Sequence, residues 1–210
     1  DGDEDVLITG KSGSSDRISN LYTNEGGIFT LVEDTPFLKV EQSCIAFSDI
    51  DGDGDEDVLI TGSKPTAAKI SKLYKNNGSN FGPGGTPFEG VSSSSIAFSD
   101  VDGDGDEDVL ITGYTTSVRI ANLYINDGGN FTLAEDTPFE AVGSGSIAFS
   151  DVDGDGDEDV LITVHFSASI FISNLYTNDG GEFTLVEDTP FEWVCYSSTA
   201  FSDIDVVGNV

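Results

Sequence analysis

The chain has 210 residues, 37% of them apolar, with 25 glycines, six prolines and a formal net charge of −31. That apolar fraction suffices for a buried core and excludes a disordered composition, and the excess of acids excludes a nucleic-acid surface. No apolar run approaches the roughly 20 residues that span a bilayer, and two cysteines are too few for a disulfide scaffold.

The chain opens on Asp1-Gly2-Asp3-Glu4-Asp5, the second half of a motif complete at Asp49-Ile50-Asp51-Gly52-Asp53-Gly54-Asp55-Glu56-Asp57. The full motif returns at Asp100 to Asp108 and Asp151 to Asp159, each 51 residues after the last. A decayed half closes the chain at Asp203-Ile204-Asp205. Six acids in each full motif, four in the opening fragment and two in the closing one make 24 of the 39 acids. The other 15 acids face eight Lys and Arg, an ordinary surface balance. The acidity is therefore mostly ligand charge, to be neutralised by cations.

Carboxylates on alternate residues, with glycines between them, suit a hard cation. Oxygens converge on one point, and glycine lets the backbone curl through φ > 0. The expected ion is Ca2+. Positions 1, 3, 5 and 9 (Asp49, Asp51, Asp53 and Asp57) are predicted to bind through their side chains, and position 7 (Asp55) through its backbone carbonyl. Asp100, Asp102, Asp104, Asp106 and Asp108 repeat the set, as do Asp151, Asp153, Asp155, Asp157 and Asp159. Three full sites follow, with a fourth completed from Asp1, Asp3, Asp5, Asp203 and Asp205 if the termini meet. An EF-hand would need flanking helices and a bidentate Glu at position 12, where this chain has Ile60, Ile111 and Ile162. The glycine-rich nonapeptide calcium repeat would need a far shorter period. A merely solvated acidic loop would not recur three times with identical spacing.

Each repeat reads alike, and the third shows it in full. Ile147-Ala148-Phe149-Ser150 alternates as a strand into the Asp loop. Val160-Leu161-Ile162-Thr163 is continuously apolar, as in a strand buried on both faces. After a variable segment come Ile172 to Thr177, the hairpin turn Asn178-Asp179-Gly180-Gly181, the alternating Phe183 to Val186, and the connector from Thr189-Pro190-Phe191. Four short antiparallel strands every 51 to 52 residues, without helical periodicity, predict an all-β chain of β-propeller blades. The repeats run over 1–44, 45–95, 96–146 and 147–198, with a partial fifth motif over 199–210, in a single repeat domain. They form a closed four-bladed ring, or part of a larger propeller or array. Lacking Met and starting inside a motif, the chain reads as a window onto something longer or a processed piece.

Tyr22, Tyr74, Tyr124 and Tyr176 are assigned to blade packing, as are Phe47, Phe98, Phe149 and Phe201. Repeat two is the weak copy, because Phe81-Gly82-Pro83-Gly84-Gly85 cannot form a good ladder. Cys44 and Cys195 hold nearby but non-equivalent repeat positions and pair only if the first and last repeats meet; two small residues at strand starts is the preferred reading. Asn77-Gly78-Ser79 and Asn130-Phe131-Thr132 are sequons, meaningful only in a glycosylating host.

The recurring Asp-x-Asp-Gly-Asp-Gly-Asp-x-Asp between two β segments resembles the FG-GAP and VCBS repeats, the family of the integrin α-subunit propeller. The likeness covers the whole chain. It is greatest in Asp-Glu-Asp-Val-Leu-Ile-Thr-Gly followed by Asn-Leu-Tyr-Thr-Asn-Asp-Gly-Gly, which is similar to long secreted surface proteins of marine-type bacteria. The resemblance implies a calcium-stiffened propeller used for adhesion or recognition outside the cell. The namesake Phe-Gly and Gly-Ala-Pro signatures are absent, and four repeats are visible where seven blades are usual.

Strand alternation sorts the loops into two ends. The Asp loops and the hairpin turns share an acidic, near-identical end. The other end differs in every repeat, carries Lys11, Arg17, Lys39, Lys64, Lys69 and Arg119, and offers Tyr114, His165, Phe166, Trp193 and Tyr196 as aromatics for stacking on sugars or anchoring a protein. Gap-filling between blades is the plainer assignment for each aromatic taken singly. One histidine and no nucleophile–base pair argue against an enzyme. The expectation is a secreted or cell-surface calcium-binding module recognising glycan or protein, with no nucleic-acid or membrane partner. The alternative is a structural repeat of an extracellular stalk or self-assembling fibre.

Overall fold

The computed structural model describes residues 2–13, 16–85, 87–167, 170–192, 194 and 197–203, with the side chains of 165–167 and 170–171 left aside. Four antiparallel sheets follow one another along the chain. The first has three strands, β1 (Val6–Ser12), β2 (Asp16–Glu25) and β3 (Ile28–Leu31). The second holds β4 (Glu41–Ser48), β5 (Asp57–Ser63), β6 (Lys69–Asn76) and β7 (Phe81–Pro83). The third holds β8 (Ser92–Ser99), β9 (Asp108–Tyr114), β10 (Arg119–Asp127) and β11 (Asn130–Leu133). The fourth holds β12 (Ser146–Ser150), β13 (Asp159–Ser167), β14 (Ile170–Thr177) and β15 (Thr184–Leu185). Strand order equals chain order in every sheet, which is the up-and-down meander of a propeller blade. Among the described residues there is no helix, hence none long and apolar enough to cross a membrane.

The sheets pack face to face through their first strands, β1 on β4, β4 on β8 and β8 on β12. Among the described residues, no contact of that extent joins the first sheet to the last. Residues 197–203 rest on the fourth sheet. Thr163 and Ser197 share a hydroxyl hydrogen bond of 2.8 Å, repeating Thr9 with Ser43 and Thr61 with Ser94 across earlier interfaces.

The continuously apolar strands behave as their composition requires. Every residue of β5 is buried and all but Tyr114 of β9, whereas β1 is half-exposed. Tyr74, Tyr124 and Tyr176 are 1–2% exposed. Each meets the Phe of the preceding Thr-Pro-Phe edge to face: Phe37 with Tyr74, Phe88 with Tyr124 and Phe139 with Tyr176, at 4.9–5.1 Å between ring centres. The same Phe also touches Phe81, Phe131 or Phe183 of the next sheet. The residue after it donates its N–H to the tyrosine hydroxyl, Leu38 to Tyr74 and Glu89 to Tyr124 at 2.9 and 3.1 Å. Each connector thus plugs the following sheet.

Two expectations need correction. Phe47 is 45% exposed, whereas Phe98 and Phe149 pack on their clusters. The difference lies in the neighbour: among the described residues, the first sheet has no strand inside β1 to lie over Phe47. The glycine- and proline-rich segment of repeat two does form an outer strand, with Phe81, Gly82 and Pro83 paired to Asn76, Lys75 and Tyr74. An outer edge tolerates proline because the missing N–H would face away from the ladder. Cys44 is a free thiol packed against the second interface, and burial raises its pKa; Cys195 lies outside the described residues.

Phe88→Ala will cost about 3–5 kcal/mol in denaturant unfolding, the usual loss for a buried aromatic. Phe47→Ala will cost less than about 1 kcal/mol, as expected of a half-exposed side chain.

Candidate metal centre

Each Asp loop joins the first strand of a sheet to the second, so the ladder fixes both of its ends. Ser48 pairs with Asp57, Ser99 with Asp108 and Ser150 with Asp159. Between these anchors the glycines at positions 4 and 6 turn through positive φ, 71° at Gly52 and 92° at Gly54. The position-1 carboxylate holds the curl. Asp100 Oδ1 accepts from the N–H groups of Gly103 and Asp104 at 2.9 and 3.1 Å, and its Oδ2 from Gly105 at 2.9 Å. Asp49 and Asp151 close their loops the same way. At position 5, Asp53, Asp104 and Asp155 each accept from the N–H two residues on.

Position 7 turns its carboxylate towards the hairpin of its own sheet. Asp106 accepts from Gly128 N–H at 2.7 Å, Asp157 from Gly180 at 2.8 Å and Asp3 from Gly26 at 2.7 Å. Position 9 is buried, with Asp57, Asp108 and Asp159 at most 1% exposed. Asp108 is gripped on both oxygens, by Asn126 N–H at 2.8 Å and Val101 N–H at 3.0 Å. Asp159 is held likewise by Asn178 and Val152, and Asp57 by Asn76.

The loops bring carboxylate oxygens within 4.8 Å of one another in three groups: Asp49, Asp51 and Asp53; Asp100, Asp102 and Asp108; Asp151, Asp153 and Asp159. Positions 1 and 3 meet in every loop, joined by position 5 in the first and by position 9 in the other two. Asp55, Asp106 and Asp157 stand outside these groups, as do Asp57, Asp104 and Asp155. Asp51 Oδ1 is buried and accepts no hydrogen bond from the described residues. A buried anionic oxygen without a donor is costly, and a hard cation held by oxygens alone would satisfy it. The residues fit a metal ion.

Electrostatics point the same way. Burial lifts the pKa of Asp57 to about 6, opposed by the backbone N–H groups of Asn76 and Ile50 and by the Lys75 charge, with the Asp51 charge adding. Burial lifts Asp108 to about 6 as well, against the N–H groups of Asn126 and Val101 and with help from Asp102 and Asp104. Asp102 and Asp153 are raised by desolvation and by the neighbouring carboxylates of their own loops.

The composition of the loops hides three contributors that lie outside them. Lys75 Nζ donates to Asp51 Oδ2 at 3.0 Å, placing a cation beside the first full loop; repeats one, three and four have Thr23, Ile125 and Thr177 there. Asn126 and Asn178 open the hairpin turns. Asn126 Nδ2 donates to Ile50 O, in the loop of the preceding sheet, at 2.9 Å, and its Oδ1 accepts from Gly129 N–H. Asn178 does the same with Val101 O and Gly181. The first two full loops are thus each wedged between the turn of their own sheet and that of the next. The repeated Asn-Asp-Gly-Gly was legible as a turn, but nothing in it announced a partner 76 residues away.

The remaining sequence candidates are dispersed. Asp5 accepts from Asn24 N–H at 2.8 Å, copying position 9 of the full loops. Asp203 lines a cleft with Phe149, Asp151, Glu158 and Phe201; Asp1 and Asp205 lie outside the described residues. Tyr114 is half-buried, with the Arg119 guanidinium 4.8 Å and Lys69 Nζ 5.8 Å from its ring centre, and its ring edge lies against Gly143. Backbone places His165 and Phe166 in β13, with side chains outside the description, as are Trp193 and Tyr196 altogether.

With metal removed, Asp57 and Asp108 are protonated in the fold up to about pH 6, well above the unfolded carboxylate value. Their contribution is full below about pH 4 and is lost as pH rises through 6. Chelated protein will therefore melt at a higher temperature at pH 4.5 than at pH 7.5, and metal-loaded protein will show the opposite order. Asn126→Ala will lower stability by about 1–3 kcal/mol, the cost of buried carbonyls left without a donor.

The FG-GAP-like repeat family matches the chain over residues 1–60, 49–111 and 100–162. No curated protein matches it. With three overlapping matches, each ending on the apolar strand that follows an Asp loop, the chain belongs to the FG-GAP-like repeat family.

Proposed function

We propose that the chain is a calcium-binding recognition module that works outside the cell, with calcium in a structural role. The observation that carries this reading is the set of three oxygen-only carboxylate groups, each within 4.8 Å, at one end of successive sheets. Ca2+ takes six to eight oxygens in a flexible shell, whereas Mg2+ demands a tighter octahedron. Carboxylates, a curled backbone and the position-7 carbonyl suit the larger ion. Sites of this kind in extracellular modules bind at about 10⁻⁴ to 10⁻³ M, which matches calcium outside cells, and FG-GAP-like repeats are commonly extracellular adhesion modules.

Calcium stiffens the conserved-looking end, and recognition falls to the other. That end carries segments of different sequence in each repeat and six of the eight basic residues. Loops of varied sequence on a rigid scaffold are where binding usually resides. The ligand is a glycan or protein with acidic groups facing Lys11, Lys39 and Lys64, and the module performs no catalysis.

Three sites of about 10⁻⁴ M affinity in 1 mM calcium each add about 1.4 kcal/mol, some 4 kcal/mol together. EGTA should therefore lower the melting temperature by roughly 8–16 °C for a chain of this size, and magnesium should not restore it. An unchanged melting curve after verified metal removal would overturn the calcium reading. Glycan-array binding lost on Lys64→Glu, with the melting temperature intact, would support recognition through the variable end.

A further inference from the structure

We infer that Lys75 makes the first full loop the weak calcium site of the three, its ammonium standing in for part of the ion's charge. The inference rests on the calcium reading above and adds an order of filling to it. All three full loops carry the same six acids at the same positions, so the acids alone give no reason for the sites to differ.

The difference comes from the strand that leads into the hairpin. Lys75, in β6, donates to Asp51 Oδ2 at 3.0 Å. Its counterparts in the other sheets, Thr23, Ile125 and Thr177, carry no charge. The ammonium is also covered from the neighbouring sheet. A Cβ on Gly129, in the next hairpin, would come within 2.5 Å of Lys75 Nζ and 3.2 Å of Asp51 Cβ, so that turn closes over the pair. Gly181 lies over Asp102 in the same manner, where a Cβ would come within 3.4 Å of the Asp102 Cβ.

The second sheet departs from the others in two further ways. Gly26, Gly128 and Gly180 donate their N–H to the position-7 carboxylate, whereas Gly78 donates to Asn76 Oδ1 at 3.2 Å. Lys75 thus fastens to the loop a hairpin whose Gly78 N–H goes elsewhere. The carboxylate group of this loop also takes position 5 where the other two take position 9.

Position 3 belongs to all three groups. With Oδ2 of Asp51 on Lys75, an ion entering the first group is left with Oδ1, the buried oxygen that accepts no hydrogen bond from the described residues. It also meets a positive charge a few ångströms away. A unit charge about 5 Å from a divalent ion repels it enough, even at the dielectric of water, to cost about tenfold in affinity. Without an ion, the same charge offsets the repulsion among Asp49, Asp51 and Asp53 and steadies the loop. Lys75 therefore weakens binding and strengthens the ion-free fold together, a pair of opposite effects that a lysine serving only as packing would not produce.

Calcium titration calorimetry of the 210-residue chain, stripped by chelator, tests this. Lys75→Thr is the variant, because repeats one and four carry Thr there. Wild type should show one site about tenfold weaker than the other two. Lys75→Thr should bring that site level with them. In EGTA it should melt roughly 2–4 °C below wild type, the shift that one ion pair gives a chain of this size. Asp53→Asn keeps the oxygen that accepts from Asp55 N–H and should delete the weak step from wild type, which places that step in the first full loop with the lysine still present. No calcium uptake by wild type would overturn the calcium reading and this inference with it. Three equal sites, a weak step that survives Asp53→Asn, or affinities untouched by Lys75→Thr would overturn the role of Lys75 and leave the calcium reading standing.

Discussion

Repulsion among carboxylates is the constraint that organises this chain. Six acids within nine residues would splay apart in a free peptide. Here the ladder closes the base of each loop, position 1 ties the curl to its own N–H groups, and position 9 is drawn into the interior by Asn76, Asn126 or Asn178. These bonds offset part of the repulsion, and a cation bound by the carboxylates would offset the remainder. Every other element serves that arrangement. The hairpins seat position 7, and the asparagines that open them reach back to the loop before.

That last bond makes the loops parts of one structure. The carbonyl of Ile50 lies between Asp49 and Asp51, and it is fixed by an asparagine of the following sheet. A cation bound in one loop would therefore order the seat of the neighbouring hairpin as well. The aromatic plugs do the same on the apolar side: Phe88, for example, touches both Tyr124 and Phe131. Adjacent sheets are thus fastened at two depths, polar near the loops and apolar beneath them. A repeat array gains its stability from such nearest-neighbour terms.

The strands, the loops and the turn were legible in the residues because each is a local pattern. Val58-Leu59-Ile60-Thr61 needs no partner to be recognised as a doubly buried strand, and the spacing of Asp49 to Asp57 is its own signature. What escaped were pairings between repeats. Phe37 sits alone after a proline, without periodic neighbours, and its partner Tyr74 is 37 residues on. Lys75 was just one more surface lysine until the hairpin carried it to Asp51. Phe47 failed for the converse reason. Its alternation marked a buried face, but burial depends on a strand inside β1, which is not among the described residues.

Val164 shows what a single side chain does to such stacking. Gly62 and Gly113 lie at the equivalent positions of the second and third sheets, where a Cβ would come within 2.9 Å of Val40 and Val91. Their N–H groups bond Val91 O and Val142 O, which locks the connector down. The fourth sheet has Val164 there instead, fully buried in one cluster with Val142, the counterpart of Val40 and Val91, while Val194, the counterpart of the acceptors Val91 and Val142, is 37% exposed. The register of β13 on β14 slips just beyond, between His165 and Ser167. Local opening free energy follows this kind of packing loss. Among the described residues, the fourth sheet therefore grips its connector less than the second and third sheets grip theirs, and that is where a local opening costs least.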